Sequence, residues 1–470
     1  MASTADPGSF RDPLSRVFVT PAGIRRGLST EALNDYRALA TTSFFAQAMM
    51  RGDIVGTRLL DADDETAAIP GDWAAVLAHD PVDVISYPYE WPFEMLRDAA
   101  RLQLRLTRDA LAERMITKDA SSYNVQFVGT RPVFIDVGSF ERSRPGEPWA
   151  GYRQFCELFL NPLLVQALRD VPFQPLLRGS VHGISPATTA GLLPGTGLST
   201  KGVFTHVKLH ARAERRYSDA DQRDVKAELK RAGFGPALID AQLRNLLKAI
   251  DGLTWKRPRS TWSDYSERSH YADADLQAKE AAVAAAVRAR PDSLVLDLGA
   301  NDGHFSRLAL RAGARSVVAV DSDHLVVDRL YRDLRGSGEQ CILPLVLDLS
   351  DPSPGLGWRS RERRSFVERV RPDVVLCLAV VHHLALTNTV PLEEIVALLA
   401  DFGADIVVEF PHPDDEKSAL LLRRKRQGIF ERYNVANWEQ ALAERFTIRE
   451  QTTLPGGTRT LYRCAVRPVG

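Results

Sequence analysis

The chain has 470 residues, 44% of them hydrophobic, and its 60 basic and 60 acidic side chains leave a formal charge of zero. That length exceeds what one hydrophobic core supports, so at least two domains are expected. The charge balance gives no sign of a polyanion-binding groove, so nucleic acid is not the expected partner and a small-molecule or protein substrate is favoured.

Cys156, Cys341, Cys377 and Cys464 are far apart and lack ligand spacing, so neither a metal site nor a disulfide framework is expected. The opening MASTADPGSFRDPLSR is charged and has no apolar core, and no stretch is long enough to span a bilayer. A cytoplasmic location without membrane partners follows as an expectation, with oligomerisation left open.

Residues 17–27 (VFVTPAGIRRG) predict a short two-stranded start, and 31–52 a helix rich in Ala, Phe and Met. Tyr87, Tyr89 and Trp91 in ISYPYEWPFEML read either as an exposed aromatic hinge able to stack a ring-bearing substrate or as core. A long helical pattern runs from Phe93 past Leu106, with apolar residues at Leu96, Ala99, Leu102 and Leu104. Two short strands, 125–128 and 132–136, follow across a Gly-Thr-Arg turn.

The stretch 115–139, MITKDASSYNVQFVGTRPVFIDVGS, resembles the catalytic segment of protein-kinase-like and small-molecule phosphotransferase folds. Asp119, Asn124 and Asp136 fall where that family places its base and two magnesium ligands, and the preceding long helix matches too. The resemblance covers roughly residues 15–175 and stops at the phosphate-binding lobe. No lysine precedes Lys118, no Gly-rich loop is present, and Thr117 replaces the usual His. It therefore implies a degenerate α+β kinase-like scaffold for substrate or partner binding, the alternative being an active phosphotransferase. Asp119 and Asn124 also suit a plain turn.

Residues 149–170 are again helical in pattern, 178–202 read as a loop, and 219–251 as a charged helical pair broken by GFGP at 233–236. The polar, aromatic stretch 254–275 reads as a linker or ligand-facing lid, in which Tyr265 is a candidate substrate contact. Beyond Lys279, runs such as SLVLDLG, VVAVD, ILPLVLDL, DVVLCLA and DIVVEF alternate with helical segments. This pattern predicts a doubly wound α/β domain with a mostly parallel sheet. The expected organisation is 1–175, a connecting region 176–275, and an α/β domain 276–470.

VLDLGANDGHFS at 295–306 is a buried strand running into a glycine turn and a helix. Gly299 and Gly303 allow positive φ and close backbone approach to a ligand, beside a free helix N-terminus. Asp321 ends the next strand, where an acid can accept nucleoside ribose hydroxyls, and Asp348 follows the third, placed to accept from an adenine amine. These residues resemble class I S-adenosylmethionine-dependent methyltransferases over roughly 275–470. Asp297, Gly299, Asn301 and Gly303 match that family's first motif, Asp321 its ribose acid and Asp348 its adenine-side acid. A dinucleotide dehydrogenase would want G-x-G-x-x-G, whereas this turn is Gly299-x-x-x-Gly303. TRTLYRCAV at 458–466, after FTIREQT, reads as the antiparallel terminal pair typical of the family.

The resemblance implies S-adenosyl-L-methionine as cofactor and methylation of a bacterial metabolite or biosynthetic intermediate at O, N or C. For the chemical step the candidates are His382 and His383, after the strand DVVLCLA, and Glu409 on the following strand. One of the two histidines should face the substrate. Tyr433 and Trp438 are pocket or core residues, while Asp414 and Asp415 suit a helix N-cap before EKSALLLRRKR. A cofactor-binding regulatory or interaction protein is the reading from a different class.

Overall fold

The computed structural model describes residues 3–61, 63–144, 146–193, 235–257, 273–426 and 428–467. Contacts group the chain into two compact units, Met1–Arg257 with Gly355–Arg363, and Pro258–Pro354 with Arg364–Gly470. No described helix is long and apolar enough to cross a membrane.

In the first unit the two-stranded start is the middle of a larger sheet. Strands β2 (Ser15–Thr20) and β3 (Gly23–Leu28) pair antiparallel across a turn closed by Gly23. Strands β1 (Thr4–Ala5), β4 (Thr57–Leu59) and β5 (Ala75–His79) extend them into the antiparallel order β1-β2-β3-β5-β4. The helix expected over 31–52 is two, Thr30–Ala40 and Ser43–Met50. Thr42 between them is extended, and its hydroxyl accepts the Phe45 N–H at 3.3 Å, an N-cap that ends one helix and starts the next.

Tyr87, Tyr89 and Trp91 are core, not an exposed hinge; Trp91 is 0% exposed, packs edge-on against Phe127 and donates to Ser86 Oγ at 2.8 Å. Burial satisfies both the ring and its N–H. The helix Phe93–Ala112 follows, then β6 (Met115–Thr117), the β7–β8 hairpin (Val125–Val128, Arg131–Phe134) and β9 (Phe140–Arg142), which pairs with β6. This is the helix and strand context expected around Asp119, Asn124 and Asp136. The 149–170 segment is helical, with a π turn at Cys156–Leu160, and stops at Asp170, φ 54°.

The loop expected over 178–202 instead contains a helix, Pro186–Leu192, started by Ser185 accepting the Thr188 N–H with proline at the first position. Residues 194–202, 219–234 and 258–272, Tyr265 among them, lie outside the described residues. The second helix of the charged pair, Pro236–Asp251, buries Ile239, Leu243, Leu246 and Ile250 on one stripe. Its Asp240 and Asp251 pair with Arg108 and Arg101 of the long helix at 2.9 and 2.7 Å.

The second unit is the doubly wound α/β sheet expected. Five parallel strands, β10 (Leu294–Leu298), β11 (Ser316–Asp321), β12 (Ile342–Val346), β13 (Val374–Cys377) and β14 (Asp405–Pro411), are joined through helices. The antiparallel pair β15 (Phe446–Thr453) and β16 (Arg459–Val466) completes the order β12-β11-β10-β13-β14-β16-β15. Val295, Val317, Ile342, Leu376 and Val407 form the core with Val283 and Val287 of the helix Asp273–Arg288. Both faces of these strands are covered, which is why they read as continuous apolar runs. The chain moves from β10 to β11 on one side and returns to β13 on the other, a reversal that opens a crevice at the strands' carboxyl ends.

Candidate functional site

Strand β10 delivers the glycine turn to that crevice. Gly299, Asn301 and Gly303 have φ of 76°, 49° and 77°. A Cβ on Gly299 would lie 2.6 Å from Val380 Cγ2, and one on Gly303 2.8 Å from Leu330 Cδ1. Both positions therefore favour glycine for conformation, and a Cβ there would also force the neighbouring Val380 or Leu330 side chain to shift. Gly299 and Ala300 N–H groups donate to Val320 O, pinning the turn to β11. Asp321, at the end of β11, accepts from Asn301 N at 3.1 Å and Asp323 N at 3.0 Å. Burial holds its carboxyl above the usual carboxylate range, and these backbone donors pull it back.

Asp297 lies beneath the turn. It is 3% exposed, accepts from Ser306 Oγ at 2.6 Å, and burial pushes its carboxyl up to about 6. Asp348 lies two residues past the end of β12, is exposed, and accepts the Ser350 N–H and hydroxyl.

A cavity of about 350 Å³ opens at this edge. Its wall brings together Asp297, Gly299, Asn301, Asp321, Asp348 and His383 of the sequence-derived candidates. Gly303 caps the helix His304–Arg311 from behind the wall.

Beyond β13 the backbone strains: Ala379 has φ 56°, and residues 383–387 make a π turn. Such features gather at functional sites. Here the turn carries His383, Leu384, Thr387 and Asn388 into the cavity wall. Of the two adjacent histidines, His383 faces the cavity. His382 is 1% exposed, away from the wall, with both ring nitrogens buried without partners; burial first, then His383, push it down to about 2. His383 is lowered by burial and by Arg459, which keeps its imidazole neutral near pH 7.

Glu409 does not reach the cavity. It is 0% exposed and its Oε1 pairs with Lys279 Nζ at 2.8 Å and Arg459 Nη1 at 3.0 Å. Arg459 also grips Asp415 through Nε and Nη2, at 2.7 and 3.1 Å. Asp415 caps the helix Glu416–Arg423 as expected. Glu409 is thus consumed in an ion network, because the register of β14 against β16 faces it toward Arg459. Tyr433 is no pocket residue either: it is 4% exposed and donates to Pro411 O at 2.5 Å, while Trp438 stacks on Phe410 in the core.

Several cavity residues escaped the sequence reading, Phe305, Ser322, Thr387 and Asn388 among them. Lys279 and Leu276 come from the helix before β10, and His304 lines the wall with its ring nitrogen 2.7 Å from Glu280 Oε1. The legible signal was a Lys-Glu pair in an otherwise Ala-rich helix ahead of the glycine turn.

In the first unit Asp136 Oδ1 pairs with Arg26 Nη1 at 2.8 Å, and the same nitrogen lies 3.2 Å from Ser15 Oγ. Arg26 is 7% exposed. Asp119 is raised by burial and by the charge of Asp136, while Asn124 ends a 3-10 turn whose N–H bonds Ser121 O. The space beside Lys118, Val137 and Gly138 amounts to only about 10 Å³.

No protein-family model matches the chain. Over 461 residues it is 34% identical to nodulation protein NoeA of Rhizobium meliloti (strain 1021), covering 97% of this chain and 94% of NoeA. Among solved structures it is similar to the N-methyltransferase NodS from Bradyrhizobium japonicum WM9, at 13% identity, 41% of this chain, 96% of that one and a TM-score of 0.30. A SAM dependent methyltransferase from Aquifex aeolicus is 13% identical over 40% of this chain and 89% of its own, TM-score 0.29. The bifunctional kinase-methyltransferase WbdD is 15% identical over 41% of this chain, TM-score 0.29, and the match spans 39% of WbdD.

Proposed function

This chain belongs to the family of the nodulation protein NoeA, and from that premise we propose that its second unit is an S-adenosylmethionine-dependent methyltransferase acting on a small-molecule metabolite in the cytoplasm. The observation that carries the reading is the convergence of the turn residues Gly299 to Asp302, Asp321 and Asp348 on one cavity at the switch point of the sheet.

The donor set suits the group. Asp297, Asp302, Asp321 and Asp348 give the cavity an acidic wall for a ligand bearing a sulfonium, an ammonium, two sugar hydroxyls and a purine amine. A Cβ on Gly299 would press on Val380, which shares the cavity wall. When bound, the cofactor supplies an electrophilic methyl group. Asp321 accepts from the sugar hydroxyls and Asp348 from the adenine amine. His383, neutral at pH 7, takes the proton from an acceptor held beside Thr387 and Asn388. The first unit binds the substrate or a partner.

Calorimetry with S-adenosylmethionine and S-adenosylhomocysteine on Asp321→Ala tests the reading. Loss of a charged acceptor should weaken both by roughly 1.5–3 kcal/mol. Parental affinity in that variant would remove Asp321 from the site.

A further inference from the structure

Among the described residues, the cavity wall holds four aspartates against one lysine, Lys279, and no arginine. Nearly every polar group of the proposed cofactor seeks an acceptor or an anion: the ammonium, the sulfonium, the sugar hydroxyls and the purine amine. Its carboxylate alone seeks a cation, and four acids repel it. Charge matching therefore directs the carboxylate to the part of the wall formed by Lys279.

Lys279 is an unusual wall residue. It is 2% exposed, and burial lowers its pKa while Glu409, 2.8 Å away, raises it again. Behind Glu409 stands Arg459, itself held through two nitrogens by Asp415. Buried ion networks of this kind cost desolvation that apolar packing of equal volume would not. What the network provides in exchange is placement: β14 supplies Glu409 and β16 supplies Arg459, two rigid strands that hold the ammonium at the crevice.

We propose that Lys279 is the receptor for the carboxylate at the amino-acid end of the cofactor, and that Glu409, Arg459 and Asp415 are positioning residues that hold its ammonium at the cavity wall. The inference rests on the cofactor reading above and assigns to Glu409 a role away from the chemical step.

The test compares two ligands by calorimetry on the full chain: S-adenosylmethionine, and its decarboxylated form, which keeps the sulfonium and ammonium but lacks the carboxylate. The parent should prefer the former by about 10- to 100-fold. Lys279→Met should abolish that preference by weakening S-adenosylmethionine alone, and Lys279→Arg should restore part of it. The double variant Lys279→Gln/Glu409→Gln keeps a hydrogen-bonded pair and the charge balance of the network, so it reports the same loss should Lys279→Met fail to fold. A variant that lost the lysine yet kept the preference, or that weakened both ligands equally, would overturn the assignment. A parent that bound both ligands equally would also overturn it while leaving the cofactor reading intact. A parent that bound neither would remove the cofactor reading, and this inference with it.

Discussion

An aspartate beside a strand end occurs in both units, and the two positions differ in what satisfies the charge. Asp321 is held by backbone N–H groups of the glycine turn and its own loop, on the wall of a cavity of about 350 Å³. Asp136 is held by the guanidinium of Arg26, which is nearly fully buried, beside a space of about 10 Å³. Backbone donors occupy fixed directions and orient a carboxylate without neutralising it, whereas an arginine cancels the charge and fills the volume. The same residue type thus lines a cavity in one unit and is closed by a side chain in the other.

The sharpest way to widen that contrast is within the second unit. His383→Ala should lower methyl transfer from labelled cofactor in a cell extract by on the order of 10²–10⁴ while calorimetric affinity for S-adenosylhomocysteine stays parental. His382→Ala, one residue away but behind the wall, should instead lower stability by about 1–3 kcal/mol in denaturant unfolding. Equal turnover losses for the two would mean that facing the cavity does not matter.

A smaller effect is expected from pH. The Asp297 carboxyl, raised to about 6 when folded, binds its proton more tightly in the native state, so its contribution to stability falls as pH rises from about 4 to 6. His382, pushed down to about 2, acts in the opposite sense, contributing stability at pH 7 that is lost as pH falls below its ordinary value. Asp297→Asn should therefore leave a Tm that drops more steeply than the parent's on acidification through this window. An unchanged slope would mean that folding does not raise the Asp297 carboxyl.

The smallest effect belongs to the first unit. With Arg26 on Asp136 and no lysine before Lys118, β- and γ-phosphates lack the positioning that phosphoryl transfer requires. No magnesium-dependent ATP turnover is expected, and Asp136→Ala should change nothing in that assay. Turnover by the parent that vanished in Asp136→Ala would place both aspartates in the same class and break the comparison.

Much of the second unit was legible because its signals are local. Val and Leu runs reported strands covered on both faces, and the spacing from Gly303 to Asp321 placed two successive strand ends on one edge. The first unit was harder: β4 has three residues and β5 five, too short for periodicity to show. The Thr42 cap split one apparent helix into two, and the aromatic run at 87–91 looked the same whether buried or exposed.

By itself, then, the sequence determined the α/β class of the second unit, the glycine turn, the acids of its edge and the terminal antiparallel pair, since each depends on neighbours within a few residues or on a repeating apolar pattern. Only the tertiary structure decided which histidine of an adjacent pair meets the cavity, that Glu409 is spent on Lys279 and Arg459, and that Arg26 lies on Asp136. Those outcomes are set by strand register, by the turn after β13 and by which charges burial forces together, and no local pattern in the chain encodes a pairing between residues that only folding makes neighbours.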